Sequence, residues 1–216
     1  MINFVPIKSK MEKPDKRTSI LQSAEKLFAE LGYEGTSTRQ IARDAGANMS
    51  MISYYFGSKE GVFHEVINKR LKDFNTELTS IHEDRISPMD KLMRVIEGYA
   101  HRILSNISFH KLMHRELSLA QRPEMYGKFK EAMSANLTVI ENIMNEGIAD
   151  ESFRKVDIRM LIATIMGTIT SVATTPTKIT QGTVLDITIS ADREILTRRL
   201  IVHLNDLVST YLTPQK

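Results

Sequence analysis

The sequence predicts an all-α protein of about nine helices, and three observations carry that prediction. Apolar residues recur at steps of three and four through most of the chain. Short polar residues with capping chemistry stand just ahead of these stretches, and glycines or prolines punctuate them. Only residues 184–189 alternate as a strand would, and they are read as a local strand or a loop, with no sheet.

The elements follow in order. Residues 1–14 end in Lys13-Pro14, carry Lys8 and Lys10, and are expected to form a flexible basic arm. Asp15 can cap a helix whose inner face is Ile20, Leu21, Ala24, Leu27, Phe28 and Leu31, with Gly32 ending it. Ser37 and Gln40 have capping-box spacing and open a short helix with Ile41, Ala42 and Ala45 inward, closed by Gly46. Asn48 caps a second short helix, Met49 to Phe56, which Gly57 stops; Phe56 is assigned to the core. Ser58 caps a long helix to about Ser80, with Val62, Phe63, Val66, Ile67, Leu71 and Phe74 on one stripe.

Ser87-Pro88 opens the next helix, since proline suits the first helical position. A shorter segment runs from about Phe109 to Ala120. Pro123 opens a helix with Met125, Phe129, Met133, Leu137, Ile140 and Met144 inward, terminated by Gly147. Ile158 to about Ala173 is apolar and carries Ala163, Thr164, Gly167, Thr168 and Ser171 as a small-residue face. Residues 174–190, with Pro176 and Gly182, read as a long connection, and Ser190 caps a last helix, about 191–212, with Ile195, Leu196, Leu200, Leu204, Leu207, Val208 and Tyr211. The chain then divides into a helix-turn-helix domain over 15–62 and a larger helical domain over 63–216, with the break inside the linking helix 59–80.

Composition narrows the function classes. The 216 residues hold 42% hydrophobic and 25% charged residues, ordinary for a globular protein. Cysteine is absent, which excludes disulfides and thiolate metal sites. The net charge of +3 leans only slightly toward a polyanionic partner. No apolar run approaches the roughly 18 residues of a membrane span, and residues 1–13 lack the apolar region of a secretory signal, so a cytoplasmic protein is expected.

Two short helices joined by a tight turn, over 37–45 and 49–56, fit a helix-turn-helix. Its second helix would enter the major groove while the first braces across the backbone. Thr38 and Lys59 both stand at helix N-termini, where free N–H groups suit a phosphate. A lysine at a helix N-terminus is unfavourable for the helix alone and makes sense if an anion docks there.

The run Ala29-Glu30-Leu31-Gly32-Tyr33-Glu34-Gly35-Thr36-Ser37, then Ile41-Ala42-Arg43-Asp44-Ala45-Gly46, then Ile52-Ser53-Tyr54-Tyr55-Phe56-Gly57-Ser58-Lys59-Glu60-Gly61-Val62-Phe63, resembles the DNA-binding domain of the TetR family. A weaker echo lies in Glu146-Gly147-Ile148, Phe153-Arg154 and Val156-Asp157. The resemblance implies phosphate contacts from Thr38, Asn48, Tyr55 and Lys59. It implies groove contacts from Met49, Ser50, Met51 and Tyr54. Ser53 stands where many members carry Tyr, and Met49 where Lys is common. Met49 and Met51 can meet thymine methyls but make no bidentate contact with guanine. Polar readout is therefore expected from Ser50, Tyr54, Arg39 and the basic arm, including Lys16 and Arg17. The plainer alternatives are burial of Tyr54 and Tyr55 against the core and a merely solvated arm.

The resemblance further implies a double-stranded DNA operator, a small-molecule effector in the larger domain, and a homodimer through helices of about 157–173 and 191–212. The small-residue face suits such an interface, or tight packing within the chain. Candidate pocket residues are Met93, Tyr99, His110, Met113, His114, Met133 and Met166, because methionine fits an adaptable apolar pocket as well as a core. His110 and His114 share a helix face, but no carboxylates accompany them, so no metal and no cofactor are assigned. The expected function is a repressor that a largely apolar ligand releases from its operator. A degenerate member that binds ligand but little DNA is the alternative. A helical enzyme is disfavoured, since Glu-x-x-His, a nucleophile elbow and a phosphate loop are all missing.

Overall fold

The computed structural model describes residues 15–118 and 123–214, with side chains except at 117, 118, 123–126 and 128. The expected arm with Lys8, Lys10 and Lys13, the end of the segment reaching Ala120, and the Met125 side chain lie outside the described residues. Ten helices make up the fold, with no strand among the described residues.

The first four are α1 (Lys16–Gly35), α2 (Thr38–Asp44), α3 (Met49–Phe56) and α4 (Lys59–Glu83). Their starts are fixed by side-chain caps. Asp15 accepts from the Thr18 N–H at 2.7 Å. Ser37 Oγ accepts from the Gln40 N–H at 3.2 Å while Gln40 Oε1 accepts from the Ser37 N–H at 2.8 Å, a complete capping box. Asn48 caps α3 and Ser58 caps α4 in the same manner. Each cap satisfies backbone donors that a helix start otherwise leaves open.

Gly32 does not end α1 outright. Its backbone, at φ 77° and ψ 172°, kinks the helix, which then resumes for one turn to Gly35. The kink turns Leu31 outward, 47% exposed, against the expected inward position, and brings Tyr33 inside instead. Tyr33 stacks on Phe28 at 5.6 Å and meets Phe63 edge-on at 5.1 Å. Thr36 Oγ1, fully buried, lies 2.8 Å from the Gly32 carbonyl and 3.0 Å from that of Leu27, tying the kink shut.

The remaining helices are α5 (Pro88–Leu104), α6 (Ile107–Ser118), α7 (Pro123–Ala149), α8 (Ile158–Thr174), the single-turn α9 (Thr177–Thr180) and α10 (Ser190–Leu212). Helix α9 falls in the stretch read as a connection. Residues 184–189 form no strand; Asp186 Oδ1 accepts from both the backbone and the hydroxyl of Thr188 and folds them into a turn. Ser190 is the first residue of α10 rather than its cap. Ile189 holds the cap position without a side-chain bond. Gly147 does not terminate α7, which continues to Ala149; a side chain at 147 would sit 2.3 Å from the Phe153 ring, so the glycine admits that ring instead.

Two buried clusters hold the molecule together. The first joins α1, α2, α3 and the start of α4, from Val62 to Leu71, and takes Phe109 and Leu112 from α6. The second joins the rest of α4, from Phe74 to Ile81, with α5, α7, α8 and α10. Helix α4 therefore feeds one core up to Leu71 and the other from Phe74 onward. Lys91, 7% exposed, is unusual in the second cluster. Its ammonium donates to the His82 carbonyl at 2.6 Å and to Glu146 at 3.0 Å, linking α4, α5 and α7. That bond holds the Glu146 carboxyl below its ordinary value. No helix among the described residues is long and apolar enough to cross a membrane.

Candidate DNA interface and ligand cavity

Helix α3 is anchored through Ile52, which is 1% exposed, and presents its opposite face outward. Met49, Ser50, Ser53, Tyr54 and Tyr55 are exposed, and Tyr54 at 84% is held by nothing in the core. Its ring meets that of Tyr55 edge-on at 5.1 Å. Met51 points the other way and packs half-buried on the first core, as does Phe56. Asn48 Oδ1 accepts from the Met51 N–H at 2.9 Å and from Ser50 Oγ at 2.6 Å, so these side chains start α3 in a fixed pose. Thr38 opens α2 half-buried, and Arg39 beside it is exposed.

Lys59 is folded back. Its Nζ donates to the Tyr33 carbonyl at 3.0 Å, lies 4.2 Å from the Tyr33 ring centroid and 3.8 Å from Glu34. Lys16 and Arg17 also serve the scaffold. Lys16 Nζ donates to the Gly46 carbonyl at 2.8 Å in the turn between α2 and α3. Arg17 pairs with Glu65 and covers the Phe56 ring. Ser23, buried on α1, hydrogen-bonds Asp44 at the end of α2, and this bond together with Lys26 keeps the Asp44 carboxyl below its usual range. These ties fix α3 relative to α1 and α4.

A cavity of about 60 Å³ opens where the two cores meet, between Leu71 of the first and Phe74 of the second. Helices α4, α5, α6, α7 and α8 all contribute walls. Of the sequence candidates, Tyr99, His110, Met113, Met133 and Met166 line it. Met93 packs against the second core and His114 is exposed on α6; neither lines the cavity. A wholly apolar extension of about 20 Å³ adjoins it, sharing the Phe74, Tyr99, Ile140 and Met166 walls. No group of three or more potential metal ligands occurs among the described residues.

Sequence reasoning missed the polar members of the wall: Arg70, Arg102 and Asn136. Asn136, 3% exposed, sits on the inner face of α7 one turn from Ile140, and a polar residue at an apolar helical position was the signal that could have found it. Asn136 Oδ1 accepts from Asn75 Nδ2 at 2.9 Å. Arg102 donates to Glu77 at 2.6 Å and stacks over Phe74. Arg70 pairs with Glu25 of α1 and stacks over Phe109. His110 is 6% exposed and its pKa is lowered to about 4, first by burial, then by the neighbouring His114 and Arg70. Burial likewise raises the Tyr99 phenol, partly offset by a hydrogen bond with Thr170. Both rings are neutral at pH 7.

Comparison with known proteins places these two sites in context. Residues 20–66 match the family described as bacterial regulatory proteins, tetR family, and residues 85–174 match the tetracyclin repressor-like C-terminal domain. The fatty acid metabolism regulator protein of Bacillus subtilis is 24% identical over 165 residues, covering 76% of this chain and 84% of that protein. The HTH-type transcriptional repressor KstR2 of Mycolicibacterium smegmatis is 29% identical over 143 residues, covering 64% and 68%. The crystal structure of the regulator FadR from Bacillus subtilis in complex with stearoyl-CoA shares the fold, with a TM-score of 0.69 at 22% identity over 87% of this chain and 96% of that one. With a family match on either side of α4's midpoint and the same helical architecture throughout, the chain belongs to the TetR family of bacterial transcriptional regulators.

Proposed function

We propose that this chain acts in the cytoplasm as a homodimeric repressor that binds a roughly palindromic operator through α3 and leaves it when a small, largely apolar ligand fills the cavity. The observation that carries the reading is the position of that cavity: it lies at the junction of the two cores, against α4, which feeds the first up to Leu71 and the second from Phe74. A ligand wedged there acts on the angle between the DNA-reading helices and the rest of the molecule. Ligand and DNA then weaken each other's binding by the same factor.

The exposed face of α3 supports groove binding by Met49, Ser50, Tyr54 and Tyr55, with Ser53 on the same side. Thr38, Arg39, Asn48 and Lys59 flank it as backbone contacts. Met51, half-buried, is assigned to the groove only through its outer edge. Two copies would set their α3 helices about 34–36 Å apart, one turn of DNA. The small residues of α8 support a dimer. Ala163, Thr164, Gly167 and Ser171 are exposed in the single chain, and nothing lies within 4 Å of a side chain built at Gly167. Tight packing within the chain is thus not their role. Met160 on α8 and Ile195 and Val202 on α10 add exposed apolar surface. The stearoyl-CoA held by the Bacillus subtilis protein supports an apolar effector.

Fluorescence anisotropy with labelled DNA flanking the chain's own gene tests the reading. Lys59→Ala is expected to lower affinity for every sequence alike and to flatten the salt dependence by about one unit. An unchanged salt slope removes Lys59 as a phosphate contact. Absence of salt-sensitive binding to that DNA, with dimers intact, refutes the operator role.

A further inference from the structure

Five buried side-chain nitrogen or oxygen atoms have no hydrogen-bond partner among the described residues. Four of them belong to residues that line the one cavity: Arg102 Nε, Asn136 Nδ2 and both ring nitrogens of His110. Buried polar atoms are nearly always paired, and leaving one unpaired carries its full desolvation penalty. Four such atoms on the walls of a single void call for an occupant that bonds them.

The chemistry of the occupant follows from the atoms. Arg102 Nε and Asn136 Nδ2 can only donate. The orientation of Asn136 is set, because its oxygen already accepts from Asn75. His110 is neutral and offers one further N–H. Residues of the wall thus carry three unpaired donors beside the void, and these call for an acceptor oxygen. The charges nearby are balanced, Arg70 by Glu25 and Arg102 by Glu77, so the oxygen need not carry a full charge. A cation would meet two guanidinium groups and no free acceptor but one imidazole nitrogen. Beyond the shared Tyr99 and Ile140 walls the extension is wholly apolar, faced by Val95, Ile96 and Ile162.

Resting on the effector reading above, we propose that the cavity recognises an acyl group, its carbonyl or carboxylate oxygen held by the N–H groups of Arg102, Asn136 and His110 and the start of its hydrocarbon chain directed toward the apolar extension, whose walls part to admit the rest. Free acids and acyl thioesters share that chemistry.

Isothermal titration of the full-length chain, without DNA, tests this with three probes of equal chain length: dodecanoate, lauroyl-CoA and dodecylamine. Binding of dodecanoate or of lauroyl-CoA, with dodecylamine at least tenfold weaker, is the expected result; dodecanoate alone identifies the free acid as the source and lauroyl-CoA alone the thioester. His110→Phe and Asn136→Leu should each weaken the acyl probe about tenfold, the scale of one buried hydrogen bond. Equal binding of dodecylamine overturns the proposal, as does failure of all three probes. Unchanged acyl affinity in folded variants also overturns it. The probe comparison uses the unaltered chain, so a variant that fails to fold leaves the test intact. Since DNA is absent, a chain that binds acyl probes but keeps its operator refutes the release reading alone.

Discussion

At the scale of single residues, the buried polar groups make the sharpest demands. Thr36 holds two carbonyls across the α1 kink, so Thr36→Val keeps the shape but leaves them with fewer donors; a loss of about 1–2 kcal/mol is expected in urea unfolding. His110 makes stability depend on pH. Its folded value is about 4, below the roughly 6.5 of an unfolded chain, so the unfolded state binds more protons between those limits. The contribution is complete above about pH 6.5 and is lost as pH falls toward 4. Between pH 7 and 5 the native chain should lose about 2 kcal/mol more than His110→Phe, read from paired denaturation curves. Parallel curves would show that the imidazole is not held neutral. The histidine itself was legible as a cavity residue, because an imidazole four residues from another on an amphipathic helix stands out. Arg70 and Arg102 were not, because a periodic pattern reads charged residues as solvated, whereas these two lay their guanidinium planes over Phe109 and Phe74.

At the scale of elements, capping chemistry was readable almost residue for residue: Asp15, Ser37, Asn48, Ser58 and Ser87 all cap where their spacing predicts. Helix ends were less legible. Gly32, Gly147 and Ser190 each have the composition of a boundary, yet Gly32 sits at a kink, Gly147 inside α7 and Ser190 at the first position of α10. At Gly147 the deciding contact is the Phe153 ring, which explains why Glu146, Gly147 and Phe153 fall together: the first anchors Lys91, the second makes room and the third fills it. Gly147→Ala should destabilise the chain by about 1–3 kcal/mol, visible as a lower melting temperature. Gly167→Ala, a change of equal size on the open face of α8, should leave the monomer's stability within about 1 kcal/mol or raise it slightly, since alanine favours a helix over glycine; an equal drop in both would mean that crowding against the Phe153 ring does not set the cost.

At the scale of the whole molecule, the sequence puts a division at 62/63 inside the linking helix, whereas α4 stays in the first core up to Leu71, and the place of α6 was not legible. Phe109 and Leu112 join the first core although the sequence places them with the larger body, since periodicity reveals a face and not its partner. Assembly is testable at this scale: Val202→Glu should shift the chain toward monomers in analytical ultracentrifugation and weaken operator binding in proportion, whereas an unchanged sedimentation coefficient would exclude this surface of α10 from the interface. Finally, α4 runs unbroken for 25 residues, a rod of roughly 37 Å at 1.5 Å per residue. The cavity touches it near Phe74, some 20 Å from its first turn at that rise. A tilt of about 5° there swings the first turn by nearly 2 Å on that arm, and in the proposed dimer twofold symmetry would apply the swing to both subunits. The distance between two reading helices could then change by several ångströms, comparable to a whole hydrogen bond length, so an occupant too small to unfold anything is still large enough to put both helices out of step with the grooves.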